Sequence, residues 1–321
     1  MLKKFLGRRE SYIVVLTIGI WIVISFLNNN FANTSYLFEL IGYNSVYYIC
    51  AVGVLPLMIM GGLDLSVSGI ILSTSMIITV IIDLINLPFI FLVPIAAIIG
   101  LGFGLINGIL IGKLKVPSVI ITLGMLYIYR SITKYWFRVY HSSTNLQISL
   151  ENFKLFGLSV QNLMIILMAL VTYYILRYRS IGRSIFTFGG NEELAVQKGF
   201  NKYKTTIFVY GYSGLAAGIA AVMHILVLGQ TNIEAYAGLD FELIIIVIIG
   251  GLSILGGYGT VIGTLFATSF IVVLKSGLVF ARIPAFWHDM LVGFIIVVVV
   301  SYDMIINKGF ASKLLGQGDE G

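Results

Sequence analysis

Apolar residues in this chain come in long blocks, not in alternation. The blocks fall at about 11–27, 36–60, 66–86, 89–112, 117–136, 162–178, 205–228, 241–255, 257–280 and 286–306. A stretch of about 20 apolar residues is long enough to cross a bilayer as an α-helix. The pattern therefore predicts an all-α, polytopic transmembrane helix bundle of about ten spans. The block at 241–255 is the weakest, because its dense part, "ELIIIVIIGG" (242–251), is short for a span and reads equally well as a half-helix. Two polar stretches exceed a simple turn: 137–161, which contains "HSSTNLQISLENFKLFG", and 179–204. The tail "SKLLGQGDEG" (312–321) is short and polar and reads as disordered. No second domain is predicted, so residues 1–321 read as one transmembrane domain.

Composition agrees with the pattern. Of 321 residues, 59% are hydrophobic and 11% charged, where soluble domains carry about 25% charged residues. The net charge of +6 does not point to nucleic acid, because the basic residues flank the apolar blocks. With the N-terminus inside, the inner segments hold 14 basic residues, grouped at 3–9, 113–115, 177–204 and 308–313. The outer loops hold three, Arg138, Lys154 and Arg282. The positive-inside bias thus predicts N-in and C-in. Met1–Glu10 is basic and no small-residue cleavage site follows, so the first block reads as a span and not a cleaved signal peptide. These features place the chain as a multi-pass membrane protein, in contact with membrane lipid.

Within the apolar blocks a few polar residues stand out. "MGGLDLSVSG" (60–69) interrupts a hydrophobic run with two glycines, an aspartate and two serines. Gly61 and Gly62 weaken the helix, and Asp64 can cap the next one through the amide of Ser66 or Val67. Two readings stand, a plain inner turn with an N-cap or a broken helix beside a translocation path. On the second reading Gly61, Gly62, Asp64, Ser66 and Arg130 are the candidate path residues. Arg130 and Lys134 are also placed to snorkel to headgroups. Lys275, Asp289 and Asp303 are the other charges in apolar blocks, with Asp303 read as interfacial. A second "GGL" at 250–252 hints at an internal duplication. Gly100, Gly104, Gly108 and Gly112 repeat at intervals of four, as do Gly214 with Gly218 and Gly259 with Gly263. Such spacing predicts close helix packing.

Other chemistry is thin. The single cysteine, Cys50, permits no disulfide within the chain, and His141, His224 and His288 show no ligand spacing. "GILIGKLK" (108–115) is one residue short of a phosphate loop and has Leu114 where Ser or Thr would hold magnesium. No catalytic residue, metal or cofactor is predicted, and the chain is not expected to be an enzyme. ATP, if used, is expected to be hydrolysed by another subunit.

The inner loop carries a short capped helix. In "NEELAVQKG" (191–199), Asn191 is a good N-cap, Glu192 and Glu193 suit a helix N-terminus, Lys198 suits a C-terminus, and Gly199 supplies a left-handed stop.

The longer stretch "GRSIFTFGGNEELAVQKGF" (182–200) resembles the "GR…GGNE.AA…GI" loop of the ribose-type, or simple-sugar, ABC permeases, with Leu194 where the first Ala is usual. "GGLDLSVSG" (61–69) resembles that family's "GG.DLSVG" signature with Ser68 and Gly69 in swapped order. "VPSVIITLGMLYIYRSI" (116–132) and "GGLSILGGYGTVIGTLF" (250–266) resemble two further family segments, in the family's order. The segment "LGQTNIEAYAGLDFELIIIVIIGG" (228–251) keeps Gly238, Glu242 and Leu243 but lacks the family's usual Pro and its polar run.

The resemblance implies the membrane permease subunit of a binding-protein-dependent importer. It implies a cytoplasmic coupling helix on which ATP-binding cassette ATPase subunits dock through Gly182, Arg183, Gly190, Asn191, Glu192, Glu193, Ala195 and Gly199. It implies an extracytoplasmic solute-binding protein and a second permease copy or paralogue. The implied solute is a pentose, a hexose or a related furanose-like signalling molecule. The alternative is an ion-coupled secondary solute transporter, for which Asp64 would be the lead carboxylate.

Overall fold

The computed structural model describes residues 11–27, 29–85, 88–139, 154–155, 157–229, 234–253 and 256–284, and positions 287, 290, 293, 294 and 297. The chain divides into two compact units, Met1–Val272 and Val273–Gly321. The expected tail (312–321), Asp289, Asp303, His141, His288, most of the block 286–306 and most of the loop 137–161 lie outside the described residues.

In the first unit the apolar blocks form helices, because a backbone in hydrocarbon must satisfy its own polar groups. They are α1 (Ser11–Leu27), α2 (Thr34–Tyr43), α3 (Ser45–Ile59), α4 (Val67–Ile85), α5 (Phe89–Leu114) and α6 (Ser118–Val139). A small hairpin follows, β1 (Lys154–Leu155) antiparallel to β2 (Leu158–Ser159). Then come α7 (Val160–Tyr178), α8 (Ser180–Gly190), α9 (Glu192–Gln197), α10 (Lys202–Leu228), α11 (Leu239–Ile249) and α12 (Val261–Phe280). Among the described residues, five helices are long and apolar enough to cross a membrane alone: α4, α5, α7, α10 and α12. The pair α2 and α3 makes a sixth if it is one span.

The block 36–60 was expected to be one run and is instead bent by 63° between α2 and α3. Asn44 makes the corner: its backbone N–H and its Nδ2 both donate to the Leu40 carbonyl, at 3.2 and 2.9 Å. The polar loop 179–204 holds an unexpected second helix, α8, whose buried face is Gly182, Ser184, Ile185 and Phe188. Of the two readings of 241–255, the half-helix is what forms. The 11 residues of α11 reach only about 16 Å, against about 30 Å of hydrocarbon.

The core of this unit is α3, α4 and α10. Nearly every residue of α3 is buried, as are the first two-thirds of α4 and most of α10. Along α10 the packing partner is α5, and the seam between them is made of backbone. A methyl at Gly100 would overlap the Gly214 carbonyl, one at Gly104 the Tyr210 carbonyl, and one at Gly218 the Ala96 carbonyl. This is the close approach that the four-residue glycine spacing predicts.

α12 runs past Val272 into the second unit, whose described backbone is the last part of α12, its stop and helical positions 287, 290, 293, 294 and 297. Arg282 takes the left-handed conformation (φ 56°), and the amide of Ile283 returns to the Leu278 carbonyl at 3.0 Å.

Candidate functional site

The break between α3 and α4 is built from glycine and carboxylate. Gly61 adopts φ +88°, which only glycine takes without penalty. Its amide donates to the Met58 carbonyl, and the amide of Gly62 donates to Leu57, both at 3.0 Å. That paired return closes α3 as a Schellman cap. Gly62 then lies under the Tyr210 hydroxyl, which donates to the Leu63 carbonyl at 3.1 Å. Asp64, 4% exposed, turns its carboxylate toward the start of α4. Its Oδ1 accepts from the Ser66 amide at 3.0 Å and the Ser66 hydroxyl at 2.6 Å, and its Oδ2 accepts from Ser213 on α10 at 3.0 Å. Asn107 on α5 donates to Ser66 Oγ at 2.7 Å, and Tyr129 on α6 donates to Asn107 Oδ1 at 3.3 Å. One buried chain of hydrogen bonds thus ties three helices, α5, α6 and α10, to the break.

A second carboxylate comes from the other half-helix. Asp240, 3% exposed at the start of α11, accepts from the Ser68 amide at 2.8 Å and from the Ser68 hydroxyl at 2.5 Å. The N-terminus of α4 therefore meets two carboxylates, one from each side, where the helix dipole and its unpaired amides favour negative charge. Arg130 supplies the countercharge through Ser68. Its Nη2 donates to Ser68 Oγ at 3.2 Å and to the Tyr236 carbonyl at 3.0 Å. Its buried Nε finds no hydrogen-bond partner among the described residues. Tyr236 holds φ +59° and is braced by His224, with Nδ1 and the phenol oxygen 3.0 Å apart. Arg130 therefore does not reach out to headgroups as its position suggested; it is engaged inside the protein. Lys134 is the outward one, 3.4 Å from Glu234 and mostly exposed.

The loop motif forms a second cluster. Asn191 caps α9, accepting from the Leu194 amide at 2.9 Å, and Gly199 (φ +78°) closes it. The amides of Gly199 and Phe200 return to Val196 and Ala195, so α9 carries the same Schellman stop as α3. Ala195 is fully buried, Glu193 and Arg183 are exposed, and Glu192 pairs with Lys202 at 2.6 Å on the surface. Gly182 is needed at the corner between α7 and α8, where a methyl would sit 2.5 Å from the carbonyls of Ile175 and Leu176. Gly190 faces open space.

The tightest contact of this cluster belongs to Gly189. A methyl there would overlap the carbonyl oxygen of Ile59, the last residue of α3. The same carbonyl accepts from the Gly257 amide at 2.9 Å, and Gly256 presses on Gly189. Backbone from the α8 end, the α3 end and the loop before α12 thus meets at one point, five residues before Asp64.

Sequence reasoning missed two residues. Asp240 was hidden because its partner is 172 positions away. A signal did exist: the tripeptide Gly-Leu-Asp occurs at 62–64 and again at 238–240. Gly189 was passed over in favour of its neighbour Gly190, and no local pattern separates the two. The second "GGL" does mark a matching stop. Gly251 (φ +92°) and Leu252 return their amides to Ile248 and Val247 and end α11 as Gly61 and Gly62 end α3.

Residues 36–300 match the family model described as branched-chain amino acid transport system / permease component. The chain is 28% identical over 308 residues to the ribose import permease protein RbsC of Haemophilus influenzae, covering 94% of each chain. It is 28% identical over 309 residues to RbsC of Escherichia coli K12, covering 94% of this chain and 95% of that one. It is 27% identical over 310 residues to the autoinducer 2 import system permease protein LsrC of Escherichia coli O9:H4, covering 94% and 89%. No solved structure gives a significant match. With the matched segments running nearly end to end, the chain belongs to the branched-chain amino acid transport system / permease component family, as a ribose-type ABC importer permease.

Proposed function

We propose that this permease forms the membrane path for a small sugar, a pentose, a hexose or a related furanose such as an autoinducer. The solute is delivered by an extracytoplasmic binding protein and moved at the expense of ATP hydrolysed in partner subunits. The substrates named for the relatives, ribose and autoinducer 2, set this class. In this reading the whole chain is one permease domain of about ten spans in the bacterial inner membrane, N-in and C-in, paired with a second copy or a paralogue.

The observation that carries the mechanism is the meeting of Gly189, Ile59 and Gly257. The ATPase subunits grip α9 and the segment from Gly182 to Gly199. Their closure moves α9, and α8 passes the movement to the end of α3 through backbone alone, with no flexible side chain to absorb it. The Gly61–Gly62 stop is the next element along the chain. Asp64, with both oxygens engaged, holds the break and performs no chemistry. Arg130, Ser68 and Asp240 form a polar latch between α4, α6 and the start of α11, and the latch opens as the spans reorient.

The test is co-purification from cells that express the native operon, followed by ATPase assay with loaded binding protein across a sugar panel. An ATP-hydrolysing subunit that comes with the permease, and whose activity rises with one sugar, supports the reading. A chain that purifies alone and moves solute down an ion gradient sinks it, and Asp64 and Asp240 then become the coupling carboxylates.

A further inference from the structure

A groove of about 1060 Å³ opens where α7 ends, α8 turns and α12 begins. Its chemistry is two-sided. Arg177, Arg183 and Lys198 line it, and no carboxylate does. None of the three has an acidic partner within 4 Å among the described residues; the nearby Glu192 is taken by Lys202. Most of the rest of the wall is apolar or aromatic (Leu176, Phe186, Phe200, Val261), with the hydroxyls of Thr187 and Thr260 beside it and with Tyr173 and Ile262 46% and 54% exposed. The groove also lies at the ends of two membrane-length helices. Tyr173 and Arg177 sit in the last turns of one membrane-length helix, and Ile262 in the first turn of another. Tyr173 and Tyr174 each pack a ring against Tyr178 at the same level, as aromatic residues do at the headgroup layer.

We propose that this groove is a binding site for an anionic phospholipid, with the phosphate among Arg177, Arg183 and Lys198 and the glycerol and upper acyl chain against the apolar rim. Uncompensated cations select a negative ligand. The apolar half of the wall selects one that carries hydrocarbon, which free phosphate and nucleotides do not. Basic pockets between spans at the inner surface hold lipid headgroups for these reasons. The site is separate from the translocation path; Arg183 and Lys198 also belong to the Gly182–Gly199 segment assigned above to the ATPase subunits, so the proposal rests on that inner-side reading and places the lipid beside the docking segment.

The test uses the full-length permease, delipidated in a mild detergent and titrated with phosphatidylglycerol, cardiolipin or phosphatidylcholine, with bound lipid counted by native mass spectrometry. Wild type should retain the two anionic lipids and lose phosphatidylcholine. R177Q/K198Q should bind them roughly 25-fold more weakly, since each cation near a membrane surface is worth a factor of about five. R177K/K198R, which keeps the charge and controls for folding, should bind as wild type, and millimolar inorganic phosphate should not displace the lipid. Equal retention of anionic and zwitterionic lipids, or unchanged retention in R177Q/K198Q, overturns the proposal. Displacement by phosphate reassigns the groove to a free anion. Loss of ATPase co-purification with unchanged lipid binding makes it a docking face for the partner subunit.

Discussion

At the scale of single residues, the two buried carboxylates separate structure from charge. Asp64 accepts three hydrogen bonds in a site closed to water, so D64A strands two hydroxyls and an amide. The loss should be about 3–5 kcal/mol, read as a large drop in thermal midpoint in detergent. D64N keeps the Oδ1 acceptor and can turn its amide to Ser213, so it should melt within a few degrees of wild type and still take up solute. If D64N folds but loses all uptake, the carboxylate's charge is used in transport and the holding role is wrong. The glycine pair gives a sharper contrast. G189A forces a methyl into the Ile59 carbonyl and should destabilise the protein or uncouple ATP hydrolysis from uptake, whereas G190A faces open space within the chain and should leave its thermal stability unchanged. This contrast also marks the limit of what the sequence carries at this scale. Asn191, Gly199 and Asp64 are legible because a cap acts on amides within three residues of itself. Asp240 and Gly189 act on segments far away in the chain; the repeated Gly-Leu-Asp marks Asp240 only when two distant stretches are compared, and nothing in its local sequence marks Gly189.

At the scale of elements, the short helix α9 depends on its caps. Six residues cannot hold a helix by propensity. N191A removes the bond to Leu194 and should cost about 1 kcal/mol locally, seen as faster amide exchange at 192–198 with the spans unchanged. The same variant should weaken ATPase co-purification; normal docking would show that α9 is not the gripped element. The α5–α10 seam makes the opposite prediction, because Gly104 has backbone against it on α10. G104L should abolish stable folding, while a leucine at Gly102, with nothing near it, should be accepted. The seam was legible because glycine at every fourth position is a periodic signal. The 63° corner at Asn44 was not, since one asparagine inside an apolar block breaks no pattern, and α8 was hidden in a stretch whose polarity reads as loop.

At the scale of the whole molecule, the sidedness read from Lys and Arg can be checked directly. Single cysteines at positions 138 and 194, in a Cys50→Ser background, should label from opposite faces of the membrane. Labelling from one side only would mean that the span count between them is wrong.

The glycine seam has a mechanical corollary. Two helices that touch along their main chains have no side-chain layer to slide on, so α5 and α10 form one girder. Spin labels on their ends should keep a fixed separation through the whole ATP cycle. The compliance that alternating access needs must then reside in the jointed parts, the Gly61–Asp64 break, the α11 stub and the corner at Asn44. The protein in effect works as a stiff frame with a few short levers hung on it.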